Sequence, residues 1–106
     1  ILYFHVLQPN EYYLTNRVYS ETEKKIAFDP DSPFREATEL GYPLLLSKID
    51  NFKQNGVNFF NGVQILDDTK EIVYIDSCCH YTEVGENILS EFIANSIFTT
   101  LTANEN

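Results

Sequence analysis

The segment Asp76-Ser77-Cys78-Cys79-His80 puts a carboxylate, two thiols and one of the chain's two histidines into five consecutive positions. Those groups suit three chemistries: metal ligation, thiol redox and general acid–base catalysis. Structural zinc sites draw on ligand pairs spaced two to four residues apart, with a second pair at a distance. Adjacent cysteines converge poorly on one tetrahedral ion, and the other histidine, His5, sits in an apolar run where a satisfied core histidine is expected. The residues therefore predict no metal. A thioredoxin-like site needs two residues between its cysteines. A bridge between neighbours would close a strained ring, far from the usual Cα separation of about 5.5 Å. Two reduced, partly buried thiols packing beside the loop are the expectation, which suits a reducing compartment without excluding export.

General-base chemistry makes different demands. The apolar stretch Ile72-Val73-Tyr74-Ile75 runs straight into Asp76 and predicts a short strand. A helix is predicted from Thr82, which can cap it, with Glu83 in its first turn. A histidine between such a strand and helix projects from the carboxyl end of the sheet, where α/β proteins place their ligands. Asp76, upstream on the same loop, can accept the imidazole Nδ1–H and fix the tautomer, which leaves Nε2 to take a proton. A histidine satisfied within a polar loop is the other reading, and the local residues leave both open.

The elements that must position this loop can be read from periodicity and caps. Residues 1–7 (ILYFHVL) form an apolar run that predicts a strand covered on both faces, ended by Gln8-Pro9-Asn10. Ser20 and Glu23 have capping-box spacing, so a short helix is predicted over 21–28. Asp29-Pro30-Asp31-Ser32-Pro33 breaks it, and Ser32 can cap a second short helix begun by Pro33. Pro43 suits the first position of a further helix, in which Leu45, Ile49 and Phe52 recur at helical spacing beside Leu46, with Gly56 as the stop. Val57-Asn58-Phe59-Phe60 predicts a strand. In the last helix, Val84, Ile88, Phe92 and Leu89, Ile93, Ile97 form two adjacent rows, so one broad face is expected to be buried.

Alternation of this kind predicts an α/β fold with parallel strands and covering helices. The 106 residues, 43% of them apolar, suit one small domain with a core. Only two or three strands are foreseen, too few to bury both faces of a sheet. The chain also starts on an apolar strand without a Met. It is therefore expected to be the C-terminal piece of a longer protein. A formal net charge of −9, with basic residues scattered singly apart from Lys24-Lys25, argues against a nucleic-acid surface and against anionic membranes. No apolar run approaches the roughly 18 residues of a membrane span, and the first residues lack the basic leader of a signal peptide.

The block DSCCHYTEVGENILSEFIA resembles the last motif of the SGNH (GDSL-like) hydrolases, in which an Asp and a His a few residues apart precede a Gly and the C-terminal helix. Together with the upstream HVLQPNEYY it looks like one bacterial branch of that superfamily, where an H-x-LQPN segment precedes C-C-H-Y/F. The resemblance spans essentially the whole chain. It implies the C-terminal part of a three-layer α/β/α, flavodoxin-like fold over residues 1–106. It also implies a serine ester hydrolase in which His80 is the general base and Asp76 its orienting acid. A small-molecule, carbohydrate or lipid ester would be the substrate, with no cofactor. The nucleophilic Ser and the Gly and Asn of the oxyanion hole belong to earlier motifs of the family and have no counterpart here, so the piece alone is expected to be inactive. The family's Asp usually lies three positions before the His, where this chain has Ser77; Asp76 lies four before, so either the loop bulges by one residue to bring it round or a backbone carbonyl orients the imidazole. Ser77 and Ser90 lack the sharp strand-to-helix setting of a nucleophile.

Gln8 and Asn10, at the carboxyl end of the first strand, are candidates to line the substrate cleft, against turn chemistry around Pro9. Asp67-Asp68 reads as a solvated turn rather than a cation site. Tyr12, Tyr13 and Tyr19 suit either a substrate cover or lid packing. The reading from another functional class is a non-catalytic interaction module whose acidic, Tyr-rich surface meets a protein or carbohydrate partner.

Overall fold

The computed structural model describes residues 1–103. Strand β1 (Phe4–Leu7) is followed by helices α1 (Glu21–Ala27), α2 (Pro33–Ser47) and α3 (Ile49–Gln54), strand β2 (Asn58–Asn61) and the long helix α4 (Glu83–Ala103). The two strands pair in parallel, with Phe4 opposite Asn58 and Leu7 opposite Asn61. The chain is thus a mixed α/β structure whose sheet has two parallel strands among the described residues. A parallel pair needs a crossover, and α1 to α3 supply it.

Local chemistry sets the helix starts. The Ser20 hydroxyl accepts from the Glu23 amide at 3.1 Å and opens α1. Ser32 accepts from the Phe34 amide at 3.3 Å and, with Pro33 in the first turn, opens α2. The further helix expected from Pro43 does not start there: α2 runs on through Pro43 to Ser47, and the break falls at Lys48. An interior proline costs a helix one hydrogen bond. Here the turn around it is tied down from outside, because the Tyr42 hydroxyl donates to the Gln8 carbonyl at 2.9 Å and its ring packs on Tyr13. The break rotates the apolar row. Leu46, Ile49 and Phe52 pack inward on Leu7, Phe59 and Val63, whereas Leu44 and Leu45 are exposed. Gly56, with a φ of 78°, turns the chain from α3 into β2.

A second cluster lies under the loop of interest. Ala27, Leu66, Val73 and Tyr74 are fully buried, with Tyr19, Phe28, Ile65, Tyr81, Val84 and Ile88 packed round them. The two apolar rows of α4 are half-buried, and the buried positions on that helix are Gly85 and Ser96. Gly85 is there because nothing larger fits: a Cβ would meet the Val73 carbonyl oxygen at 2.8 Å and the Tyr81 Cβ at 3.1 Å.

Two expectations fail. His5 is exposed rather than a core histidine: along β1 Leu7 is buried and Phe4 and Val6 are half-buried, and Ile1, Leu2 and Tyr3 before it are exposed. Residues 72–75 do not form a strand. The Val73 and Tyr74 amides donate to the buried Glu23 carboxylate, at 2.7 and 3.3 Å, instead of to a neighbouring strand. What remains of sheet pairing there is one isolated antiparallel bridge between Tyr74 and Tyr81. No described helix is long and apolar enough to cross a membrane.

Candidate active site

The loop from Asp76 to His80 is closed from below. The Ile75 amide donates to the His80 carbonyl at 3.1 Å, and the Thr82 amide donates to the Val73 carbonyl at 2.8 Å. Thr82 then does two jobs. Its hydroxyl donates to the Ile72 carbonyl at 2.8 Å and accepts from the Gly85 amide at 3.3 Å, which caps α4. The base of the loop and the first turn of the helix are therefore one unit.

Within that closure the four-residue spacing of Asp76 and His80 is accommodated by the carboxylate itself. Asp76 Oδ1 accepts from the amides of Cys78, Cys79 and His80 at 3.0, 3.1 and 3.3 Å. Curling round one oxygen brings the ring back, so that His80 Nδ1 lies 2.5 Å from Asp76 Oδ2. Hydrogen bonding to His80, reinforced by the three amides, holds the Asp76 carboxyl well below the usual carboxylate range. The ring is therefore paired with an ionised carboxylate. The His80 side chain is 67% exposed, and its Nε2 makes no hydrogen bond among the described residues. An imidazole held through Nδ1 by a carboxylate, with Nε2 open, has the arrangement of a general base.

The thiols sit in the same curl. Cys79 is exposed and Cys78 half-buried, so Cys79 is not a packing residue. Their sulfurs are 2.8 Å apart. The hydrogen bond with Cys78, together with slight burial, pushes the Cys79 thiol up to about 11.

Three ties fasten this loop to the rest of the molecule. The Tyr81 hydroxyl, kept protonated by burial, donates to the Pro9 carbonyl, which brings the turn after β1 beside the dyad. The Tyr12 hydroxyl donates to the Ser77 carbonyl at 2.6 Å. Deeper down, the buried Arg17–Glu23 pair, at 2.7 Å, ties α1 to the segment before the loop: Glu23 accepts the amides of Val73 and Tyr74, and Arg17 donates to the Glu71 carbonyl at 3.0 Å. The Arg17 guanidinium also stacks 4.4 Å over the Tyr19 ring. The capping-box spacing pointed to Glu23, but its side chain reaches across the fold rather than back to Ser20.

Of the other candidates, Asn10 is spent on its own turn, its Oδ1 accepting the Tyr12 amide at 2.9 Å. Gln8 is exposed, and its carbonyl takes the Tyr42 hydroxyl. Asp67 accepts the Thr15 hydroxyl. Among the described residues no group of three or more His, Cys, Asp or Glu side chains comes together to hold a metal ion. Tyr12 is buried and Tyr13 and Tyr19 half-buried in aromatic contacts with Phe28 and Tyr42. The Tyr-rich surface required of an interaction module is therefore not formed by these rings.

One residue with no signal in the sequence stands out. Glu11 is completely buried, and neither carboxylate oxygen has a partner. Burial pushes it up to about 7, with the Asp76 charge adding to the shift and its own backbone amide and His80 opposing it. It borders a cavity of about 250 Å³ that Tyr12, Leu14, Phe28, Asp29 and Arg35 help to line and that the dyad itself does not touch.

Compared with protein-family profiles, with curated proteins and with solved structures, the chain finds no match.

Proposed function

We propose that the chain supplies the acid–base half of an SGNH-type serine ester hydrolase. The observation that carries this reading is the Asp76–His80 pair, with Nδ1 anchored at 2.5 Å and Nε2 exposed. The parallel β1–β2 pair with its crossover helices, and the Asp76–His80 pair on the turn into α4, support placing the chain in the C-terminal part of a three-layer α/β/α domain. The resemblance of DSCCHYTEVGEN to the final SGNH motif supplies the family.

In this reading a serine from a segment preceding residue 1 attacks the ester carbonyl while His80 Nε2 takes its proton. Asp76 stabilises the imidazolium, and His80 then hands the proton to the departing alkoxide. A water activated by the same nitrogen releases the acyl group. Donors that hold the tetrahedral oxyanion come with the serine. Residues 1–103 contribute the base, its orientation and one wall of the cleft.

The test uses the protein with its preceding segment. His80→Ala is expected to abolish hydrolysis of short p-nitrophenyl esters with the fold intact, and a serine-directed phosphonate is expected to label upstream of residue 1. Residues 1–106 alone should not label. Activity retained in His80→Ala, or turnover by the piece alone, overturns the assignment.

A further inference from the structure

We propose that Cys78 and Cys79 form a vicinal dithiol that closes to an intramolecular disulfide on reaction with a small disulfide oxidant, and that closure disturbs the Asp76–His80 pair. The ring rests on the placement of the two sulfurs; its consequence for catalysis rests also on the hydrolase reading.

The sequence argument against redox chemistry was the missing two-residue spacer and the strain of a ring between neighbours. The two sulfurs nevertheless lie together. The curl round Asp76 Oδ1 turns both side chains to the same side, with the sulfurs 2.8 Å apart and Cys79 open to solvent. A disulfide needs about 2.05 Å, so closure moves the sulfurs together by less than about 1 Å. No other cysteine exists in the chain to compete.

The chemistry balances as thiol–disulfide exchange. A thiolate of the pair attacks one sulfur of an oxidised disulfide RSSR, forming a mixed disulfide and expelling RS⁻. The second cysteine gives its proton to solvent, attacks the first cysteine's sulfur and expels the second RS⁻. Two protein thiols are oxidised, RSSR is reduced to two RSH, and no external sulfur stays on the chain.

The ring passes through the peptide bond between Cys78 and Cys79. That peptide carries the Cys79 amide, one of the three donors to Asp76 Oδ1, and it lies one residue from the His80 amide, another of them. Forcing its torsions to fit the ring pulls at the oxygen cage that holds the carboxylate. The bond from Asp76 Oδ2 to His80 Nδ1 moves with it.

The chain is incubated with oxidised glutathione and followed by intact mass, by iodoacetamide labelling and by NMR of the His80 ring nitrogens. Expected are loss of two hydrogens in mass, loss of both alkylation sites in a monomeric species, a shifted His80 signal, and reversal of all three by dithiothreitol. Cys78→Ser and Cys79→Ser should each stop at a stable mixed disulfide. Two thiols that persist, or bridges formed only between chains, overturn the ring. A ring that leaves the His80 signal unmoved overturns the coupling. The serine-directed phosphonate is scored separately on the longer protein: if it never labels while the ring forms, the hydrolase reading falls and the dithiol stands.

Discussion

Asp76 grips its own loop and the His80 ring at once: Oδ1 gathers three consecutive backbone amides, and Oδ2 lies 2.5 Å from Nδ1. Orientation of the imidazole and the conformation of the loop thus depend on one carboxylate. Asp76→Asn keeps the size but not the charge, and its amide can present a donor to Nδ1, which favours the wrong tautomer. In the hydrolase reading kcat should fall by about 10³- to 10⁴-fold. The ring-nitrogen NMR spectrum of His80 in the chain should report the tautomer change without any substrate. An unchanged tautomer removes Asp76 from its role.

The same group sets an acid limit. Its folded-state value lies below that of an ordinary aspartate, so its stabilising contribution is present above the unfolded value near 3.8 and is lost as pH falls through the lower, folded value. Wild type should therefore be more stable than Asp76→Asn above that value, and the gap should close as pH falls through the strongly acid window. Unfolding curves monitored by circular dichroism check this.

Glu11 acts in the opposite direction. Its folded value of about 7 lies above the unfolded 4.5, so the native state holds the proton more tightly. The stability linked to that proton is fully present below the unfolded value and is lost as pH rises through about 7, a difference of about 3 kcal/mol across the window. Glu11→Gln stays neutral and should remove that slope, making the variant more stable than wild type at mildly alkaline pH. Urea midpoints measured across the window decide it; parallel slopes would show that Glu11 has a partner in solution.

Breaking the buried pair should be severe. Glu23→Ala strands the Arg17 guanidinium and the amides of Val73 and Tyr74, and should cost about 3–5 kcal/mol. Arg17→Met with Glu23→Leu removes both charges and should recover part of that loss, leaving the two amides as the residual cost. Denaturant unfolding of the single and double variants separates these contributions, and additive losses would refute coupling through the pair.

Gly85→Ala places a methyl group 2.8 Å from the Val73 carbonyl oxygen. Backbone cannot swing aside as a side chain can, so α4 must lift from the loop, at about 1–3 kcal/mol. Thermal unfolding should show the loss, and the His80 ring signal should broaden as the capped first turn loosens.

What could be read in advance follows the range of each interaction. Ser20, Ser32 with Pro33, Gly56 and Thr82 mark element ends through bonds made within a turn of themselves, and each does so in the structure. The sequence offered Asp76 as a partner for His80 but left open whether it reaches the ring, because the curl that brings it round depends on backbone amides gathered at Oδ1. The strand at 72–75 was misread because its amides are claimed by Glu23, about fifty residues away in sequence. Glu11 left no trace because burial of a carboxylate is a property of what folds over it. The register of the apolar row near Leu45 was lost to a helix break at Lys48 that no Pro or Gly marks.

The curl that seats the dyad is built almost wholly from contacts within the ten residues from Val73 to Thr82. Its closure entropy is that of a short loop, and Tyr12, Glu23 and the Pro9 carbonyl then fix where it sits in the fold. The four-residue spacing between Asp76 and His80 is taken up by the three amides that Oδ1 gathers, which leaves Oδ2 to meet the ring.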